Sequence, residues 1–241
     1  MNVAGIDTAS DILGLGFCRD NKIMGEINIR LDQSHNQRLL PLFDVLMGEV
    51  GCRLSDLDGI AVVTGPGSFT GLRISLSTVK AFSISQDLSL LEVSSLELLI
   101  ADRLNQPGFW LPAYDARGDR IYTAIFSGGK ELTDKKARVL EDQAVALAEL
   151  PELLKEELPE KFRLTITGPA VNRYIEQFRE VKANLPGEIV LDKRYTARPA
   201  GGRLARLGVD FLEKNMRIVG PDELQPRYLK KPQAEIDHEK N

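Results

Sequence analysis

The tightest constraint on this chain is the stretch Val63-Thr64-Gly65-Pro66-Gly67-Ser68-Phe69-Thr70-Gly71-Leu72-Arg73. An apolar run from Gly59 to Val63 reads as a buried strand, and a helical pattern begins at about Thr70. Between them, Gly65, Gly67 and Gly71 demand positive φ angles or unusually close backbone approach where the strand feeds the helix. Ser68 or Thr70 can cap the helix, leaving other N–H groups free at its positive end. Such a turn can cradle an anion or admit a second backbone, and its composition alone does not choose.

The rest of the composition narrows the classes. A chain of 241 residues, 43% apolar and 27% charged, can bury a substantial core as one large domain or two small ones. No apolar run is long enough to span a bilayer, and no basic segment or small-residue cleavage site precedes the first strand, so a cytoplasmic protein is expected. A net charge of −4 excludes a basic nucleic-acid footprint over the whole chain. Cys18 and Cys52 read as buried thiols.

In order, Asn2–Asp7, Ile12–Arg19 and Lys22–Ile29 read as strands, the second and third joined by the turn pair Asp20-Asn21. A helix follows over His35–Val50, with Leu39, Leu42, Phe43, Leu46 and Met47 at helical spacing. The strand Gly59–Val63, a helix Thr70–Gln86, a strand Leu88–Val93 and a helix from Ser94 or Ser95 to Leu104 complete a β-β-β-α-β-α-β-α half. Asn105-Gln106-Pro107-Gly108 reads as a linker. Beyond it, Phe109–Asp115 and Arg120–Ser127 restate the opening hairpin, with a third strand expected within Glu131–Val139. Helices over Asp142–Leu158, Val171–Arg179 and Arg203–Lys214 and strands at Arg163–Thr167 and Glu188–Leu191 follow. The repeated order predicts duplicated architecture: a first lobe over 1–107, a second over 108–220, then a docking segment and frayed tail over 221–241.

The chemical inventory is short. Glycines at 65, 67 and 71 miss the dinucleotide spacing, and no Gly-Lys-Ser/Thr follows. The only histidines, His35 and His238, form no helical metal pair, and no Gly-x-Ser-x-Gly elbow is present. Gly71, Ser75 and Thr78 form a small-residue stripe beside the apolar Leu72, Leu76 and Val79, which fits close approach of a second helix. Arg194, Arg198, Arg203 and Arg206 are a candidate local basic patch, more simply read as a solvated helix face.

Gly65-Pro66-Gly67-Ser68-Phe69-Thr70-Gly71-Leu72-Arg73-Ile74 resembles the signature of the TsaB (YeaZ) family of bacterial tRNA threonylcarbamoyladenosine biosynthesis proteins. Asp7-Thr8, Ser34-His35 with Leu39-Leu40-Pro41, Val93-Ser94-Ser95-Leu96-Glu97, Asp115-Ala116-Arg117 with Tyr122, and Pro226-Arg227-Tyr228-Leu229 fit in the same order. Ser75 stands where the family has Gly, and Lys230 where it has Arg.

The resemblance implies an α/β fold of the actin-like, sugar-kinase and heat-shock ATPase (ASKHA) class, two lobes each built on a mixed sheet with flanking helices. It implies a non-catalytic scaffold that binds the paralogous transferase TsaD, which modifies adenosine 37 of ANN-decoding tRNAs, with TsaE joining the assembly. TsaD carries a His-x-x-x-His metal motif, where this chain has His35 alone before Asn36, Gln37, Arg38 and Leu39. No metal is expected, and no cofactor is firmly implied, ATP or ADP entering only in the assembled complex. The partner, or a second copy, would meet the first-lobe helices through Leu39, Leu42, Phe43, Leu46, Gly71, Leu72, Ser75 and Thr78. Gly5-Ile6-Asp7-Thr8-Ala9 resembles a first phosphate loop of the ASKHA class, making Asp7, Thr8 and Asp115 a candidate vestigial nucleotide site. The rival reading is a stand-alone ATPase or kinase using Asp7 and the glycine turns; a peptidase would need a metal pair or triad that the inventory lacks.

Overall fold

The computed structural model describes residues 1–31, 35–193 and 201–229, with the backbone alone at His35. Ser34, Arg194, Arg198 and the expected frayed tail from Lys230, which includes His238, lie outside the described residues.

Strands β1 (Asn2–Asp7), β2 (Ile12–Arg19) and β3 (Lys22–Arg30) lead to helix α1 (His35–Glu49). Then come β4 (Gly59–Gly65), α2 (Phe69–Gln86), β5 (Ser89–Ser94) and the short α3 (Ser95–Ile100). The second half repeats the plan with β6 (Phe109–Asp115), β7 (Arg120–Ser127), β8 (Arg138–Ala146) and α4 (Leu150–Glu157). It continues through β9 (Arg163–Thr167), α5 (Ala170–Arg173), α6 (Ile175–Ala183), β10 (Glu188–Asp192), α7 (Gly201–Glu213) and β11 (Ile218–Val219).

The sheets run β11-β5-β4-β1-β2-β3 and β10-β9-β6-β7-β8. Each contains the same five-strand order: three antiparallel strands, then two parallel to the first of them. This is the two-lobed actin-like arrangement. The duplication reaches the residues: Thr64-Gly65-Pro66 and Thr167-Gly168-Pro169 end the fourth strand of each sheet, with glycine φ angles of 116° and 114°. Asp20 and Asn21 both take positive φ, as a two-residue hairpin turn requires.

Two expectations need correction. The strand predicted within Glu131–Val139 and the helix predicted from Asp142 are displaced: β8 runs over Arg138–Ala146 and α4 starts only at Leu150. Val145 pairs with Ile121 and Ala144 with Tyr122, so the open edge of β7 captures residues with helical periodicity. The lobe boundary at 220 is also wrong. Helix α7 lies across β1, β2, β3 and β4, and β11 pairs with β5, so both belong to the first lobe. Helix α3 lies at the boundary: Leu96, Leu99 and Ile100, with Leu104 beyond it, pack with Trp110, Ala124 and Phe126 of the second lobe, while Leu98 packs with Val63 and Val93 of the first.

Close packing fixes α7 in place. A Cβ on Gly16 would lie 2.1 Å from the carbonyl of Gly201, and one on Gly201 would lie 2.2 Å from the Leu15 carbonyl oxygen. Backbone therefore rests on backbone, which only glycine permits. Glu26 Oε2 accepts from the Gly202 N–H at 3.1 Å, placing a carboxylate at the positive end of the helix. The first sheet thus has two covered faces: α1 and α2 seal the core around Phe17, Phe43 and Leu76, while α7 seals the one around Val63, Leu204 and Phe211.

Candidate functional site

The glycine-rich turn is joined to the first hairpin turn. Ser68 caps α2, its side chain accepting from the Gly71 N–H at 3.2 Å, and its own N–H donates to the Ala9 carbonyl at 2.7 Å. A Cβ on Gly71 would sit 2.1 Å from the Thr8 carbonyl oxygen. The Thr8 hydroxyl is buried and lies 2.8 Å from both the Gly71 carbonyl oxygen and Ser75 Oγ, and Ser75 Oγ lies 3.1 Å from the Leu72 carbonyl oxygen. Ser95 Oγ donates to the Pro66 carbonyl at 2.6 Å from the start of α3. The glycines are therefore used for close packing of the α2 start on the first turn.

Six of the eight residues expected at a partner interface are packed inside the protein. Gly71, Leu72 and Ser75 are buried beneath α2, and Leu39, Phe43 and Leu46 are buried beneath α1 in the home core. Only Leu42 and Thr78 of that set remain half-exposed. The outward face instead carries Pro41, Val45 and Gly48 on α1 and Arg73, Ser77, Ala81 and Ile84 on α2. Val45 is 54% and Ile84 74% exposed, with Leu40 of α1 also in water.

The remaining signature residues hold the C-terminal segment. The Phe69 and Tyr228 rings stack with centroids 4.9 Å apart, the Arg73 guanidinium lies 3.9 Å from the Phe69 ring, and Arg73 Nε donates to the Tyr228 hydroxyl at 3.0 Å. The Arg227 N–H donates to the Thr64 carbonyl at 2.8 Å, and Leu224 is fully buried. Sequence reading anticipated docking here but not its partners, because contacts between residues 73 and 228 leave no local periodicity.

A cleft of about 820 Å³ separates the lobes, lined among others by Ala9, Pro66, Thr70, Asp115, Arg117 and Tyr228. Of the three nucleotide-site candidates only Asp115 lines it. Its Oδ1 accepts from the Arg117 N–H at 2.8 Å and the Tyr174 hydroxyl at 2.7 Å, and Oδ2 pairs with Arg173 at 3.2 Å. Burial would raise this carboxyl, but those donors outweigh it and hold it below the ordinary aspartate value. Thr8 is satisfied inside the protein. Among the described residues no group of three or more His, Cys, Asp or Glu is arranged to hold a metal. The proposed basic patch also changes character: Arg203 is half-buried and donates to the Leu98 carbonyl at 2.9 Å, tying α7 to α3. Burial raises the thiols of Cys18 and Cys52.

Asp7 behaves oppositely to Asp115. Burial pushes its carboxyl from 3.8 up to about 6, against one hydrogen bond from the Ala9 N–H at 2.9 Å. A raised acid pKa means that the folded state binds more protons, so this group weakens the fold as pH rises from about 4 to about 6, with a constant penalty above. Asp7→Asn keeps the acceptor and removes the charge. It should stabilise the protein by about 1–2 kcal/mol at pH 7.5 and not at all at pH 3.5. Urea melts at the two pH values test this, and equal effects at both would contradict it.

No helix among the described residues is long and apolar enough to cross a membrane. The family model described as "TsaD: tRNA N6-adenosine threonylcarbamoyltransferase" matches residues 22–238. The chain is 34% identical over 235 residues to the Bacillus subtilis "tRNA threonylcarbamoyladenosine biosynthesis protein TsaB", covering 98% of this chain and 96% of that protein. The Escherichia coli protein of the same description is 30% identical over 128 residues, 52% of this chain and 55% of its own length. Among solved structures, YeaZ from Pseudomonas aeruginosa superposes with a TM-score of 0.71 at 22% identity, covering 95% of this chain and 99% of that one. This agreement of fold accompanies a near full-length sequence match, and the chain belongs to the TsaB (YeaZ) family, within the wider group that the TsaD model describes.

Proposed function

We propose that this chain is a non-catalytic adaptor in the threonylcarbamoylation of adenosine 37 in ANN-decoding tRNAs. It would bind and support a TsaD transferase, with TsaE joining the assembly and tRNA reached through TsaD, in the cytoplasm. The observation that carries the reading is the 34% identity, along almost the entire chain, to a B. subtilis protein named for threonylcarbamoyladenosine biosynthesis. The outward face of α1 and α2 supports it. Val45 and Ile84 stand in water on helices whose inner faces are already sealed against the sheet, which leaves them free for a second protein or a second copy of this chain.

The stand-alone ATPase or kinase reading is weaker on the same geometry. That reading uses Asp7 and the glycine turns, but Asp7 does not line the cleft, and Gly67 and Gly71 are packed against the Ala9 and Thr8 backbone.

Ile84→Arg tests the adaptor reading. The side chain is 74% exposed, so the fold should keep its melting temperature within about 1 °C while TsaD co-purification falls by about tenfold or more. Normal stoichiometry with Ile84→Arg and with Val45→Arg would remove this face from the proposal. Undiminished threonylcarbamoyladenosine in tRNA from cells lacking the chain would remove the function. Ser75→Trp is unsuitable here, because Ser75 is fully buried and the change would damage the monomer itself.

A further inference from the structure

Two lobes meeting at one cleft can rotate about their connections, and closure around a ligand is the usual way such a cleft changes width. In this chain side-chain contacts cross between the lobes. Arg138 and Asp142 project from β8 of the second lobe into contact with Ser94 and Glu97 of the first. Arg138 Nη2 donates to Glu97 Oε1 at 2.5 Å, Arg138 Nη1 to Asp142 Oδ1 at 2.5 Å, and Ser94 Oγ to Asp142 Oδ2 at 2.5 Å. Arg217 Nη2 donates to the same Glu97 Oε1 at 2.9 Å, and the Ser94 N–H donates to Oε2 at 3.0 Å. The side chains of Glu97 and Asp142 are only 2% and 5% exposed.

The C-terminal segment completes this cluster. Arg227 Nη2 lies 2.9 Å from Glu92 of β5 and Nη1 lies 4.0 Å from Asp142 of β8, so one guanidinium spans a carboxylate from each lobe. Its backbone N–H is fixed on Thr64, Leu224 anchors the segment in the first-lobe core, and Tyr228 is stacked on Phe69. Arg227, Tyr228 and Leu229 also line the cleft. Arg138, Arg217 and Arg227 meet Glu92, Glu97, Glu141 and Asp142, so removing Arg227 takes from Glu92 its ion-pair partner and leaves Asp142 paired with Arg138 alone.

The geometry points to the strap Leu224–Leu229 as a pin that holds the two lobes in one fixed relation, with Arg227 as the bridging group. The strap thus adds to the direct contacts of Arg138 with Glu97 and of Ser94 with Asp142, and a change in the width of the cleft requires the Arg227 link to give as well. This does not depend on the adaptor reading. It distinguishes a strap that couples the lobes from one that merely covers the start of α2.

Hydrogen–deuterium exchange on the full chain separates the two. In Arg227→Ala, amides of β8 and α3, which face each other across the boundary, should exchange about tenfold faster, while the central strands β1 and β9 keep wild-type rates. Glu92→Gln leaves the strap backbone and Tyr228 untouched and should give the same pattern at about threefold. It decides the matter alone if Arg227→Ala does not fold. Acceleration confined to residues 224–229, or to β5 without β8, would overturn the pin. So would uniform acceleration through β1 and β9, which reports lost global stability with no release of the lobes.

Discussion

Gly71→Ala is expected to destabilise the protein by about 3 kcal/mol, near the upper end of overpacking costs, and to lower its melting temperature by about 6–12 °C. The added methyl group would lie 2.1 Å from the Thr8 carbonyl oxygen, which is main chain and cannot swing aside. Relief requires α2 to lift from the first turn. That movement breaks the hydrogen bonds of the Thr8 hydroxyl to Gly71 and Ser75 and of the Ser68 N–H to Ala9. The same substitution at Gly48 should have the opposite sign. Gly48 lies within α1 and a Cβ there meets nothing within 4 Å, so Gly48→Ala should stabilise by about 0.5–1 kcal/mol through reduced backbone entropy of the unfolded chain. Thermal and urea melts of the two variants distinguish close packing from mere helix propensity. Equal effects of the same sign would refute the packing account.

The difference between those glycines also marks what can be read from a sequence. The hairpin at Asp20-Asn21 is local: turn chemistry specifies it, whereas β8 forms where the β7 edge captures a segment with helical periodicity. Which partner a helix face meets is not local. Leu39, Phe43, Leu46 and Leu72 lie on apolar stripes, but periodicity identifies an apolar face without saying whether the home sheet or another protein covers it. The ownership of α7 failed for the same reason, since an amphipathic helix can cap either lobe. Here a signal was present: Gly5, Gly14 and Gly16 on the paired strands β1 and β2 match the Gly201-Gly202 start of α7. The two Thr-Gly-Pro tripeptides were equally visible, and would have fixed the internal repeat at the residue level. Arg227 and Tyr228 were not legible, because their roles depend on contacts with residues more than one hundred positions away.

Glu97→Gln should produce the other large loss, about 3–5 kcal/mol at pH 7. Glutamine preserves the shape and can still accept from the Ser94 N–H, yet it removes the counter-charge that Arg138 and Arg217 share, leaving Arg138 to Asp142 and Glu141 and Arg217 without its Glu97 partner. Arg138 cannot easily turn to water, since its guanidinium is stacked 4.7 Å from the Phe126 ring and its side chain is only 10% exposed. The pH dependence identifies charge as the cause. Burial alone would raise the Glu97 carboxyl, but Arg138 and Arg217 outweigh burial and hold it below the ordinary glutamate value of 4.5. A depressed acid pKa contributes stability that is fully present above the unfolded value and is lost as pH falls toward the folded one. The gap between wild type and Glu97→Gln should therefore be widest at neutral pH and shrink below pH 4.5, as protonation makes the natural side chain resemble the variant. Acidification thus removes the contribution of Glu97 while relieving the penalty at Asp7, and only the double variant Asp7→Asn/Glu97→Gln is freed of both dependences. Denaturant melts of all four proteins between pH 3.5 and 7.5 test this; a Glu97→Gln deficit independent of pH would assign its effect to packing and leave the ionic cluster without energetic weight.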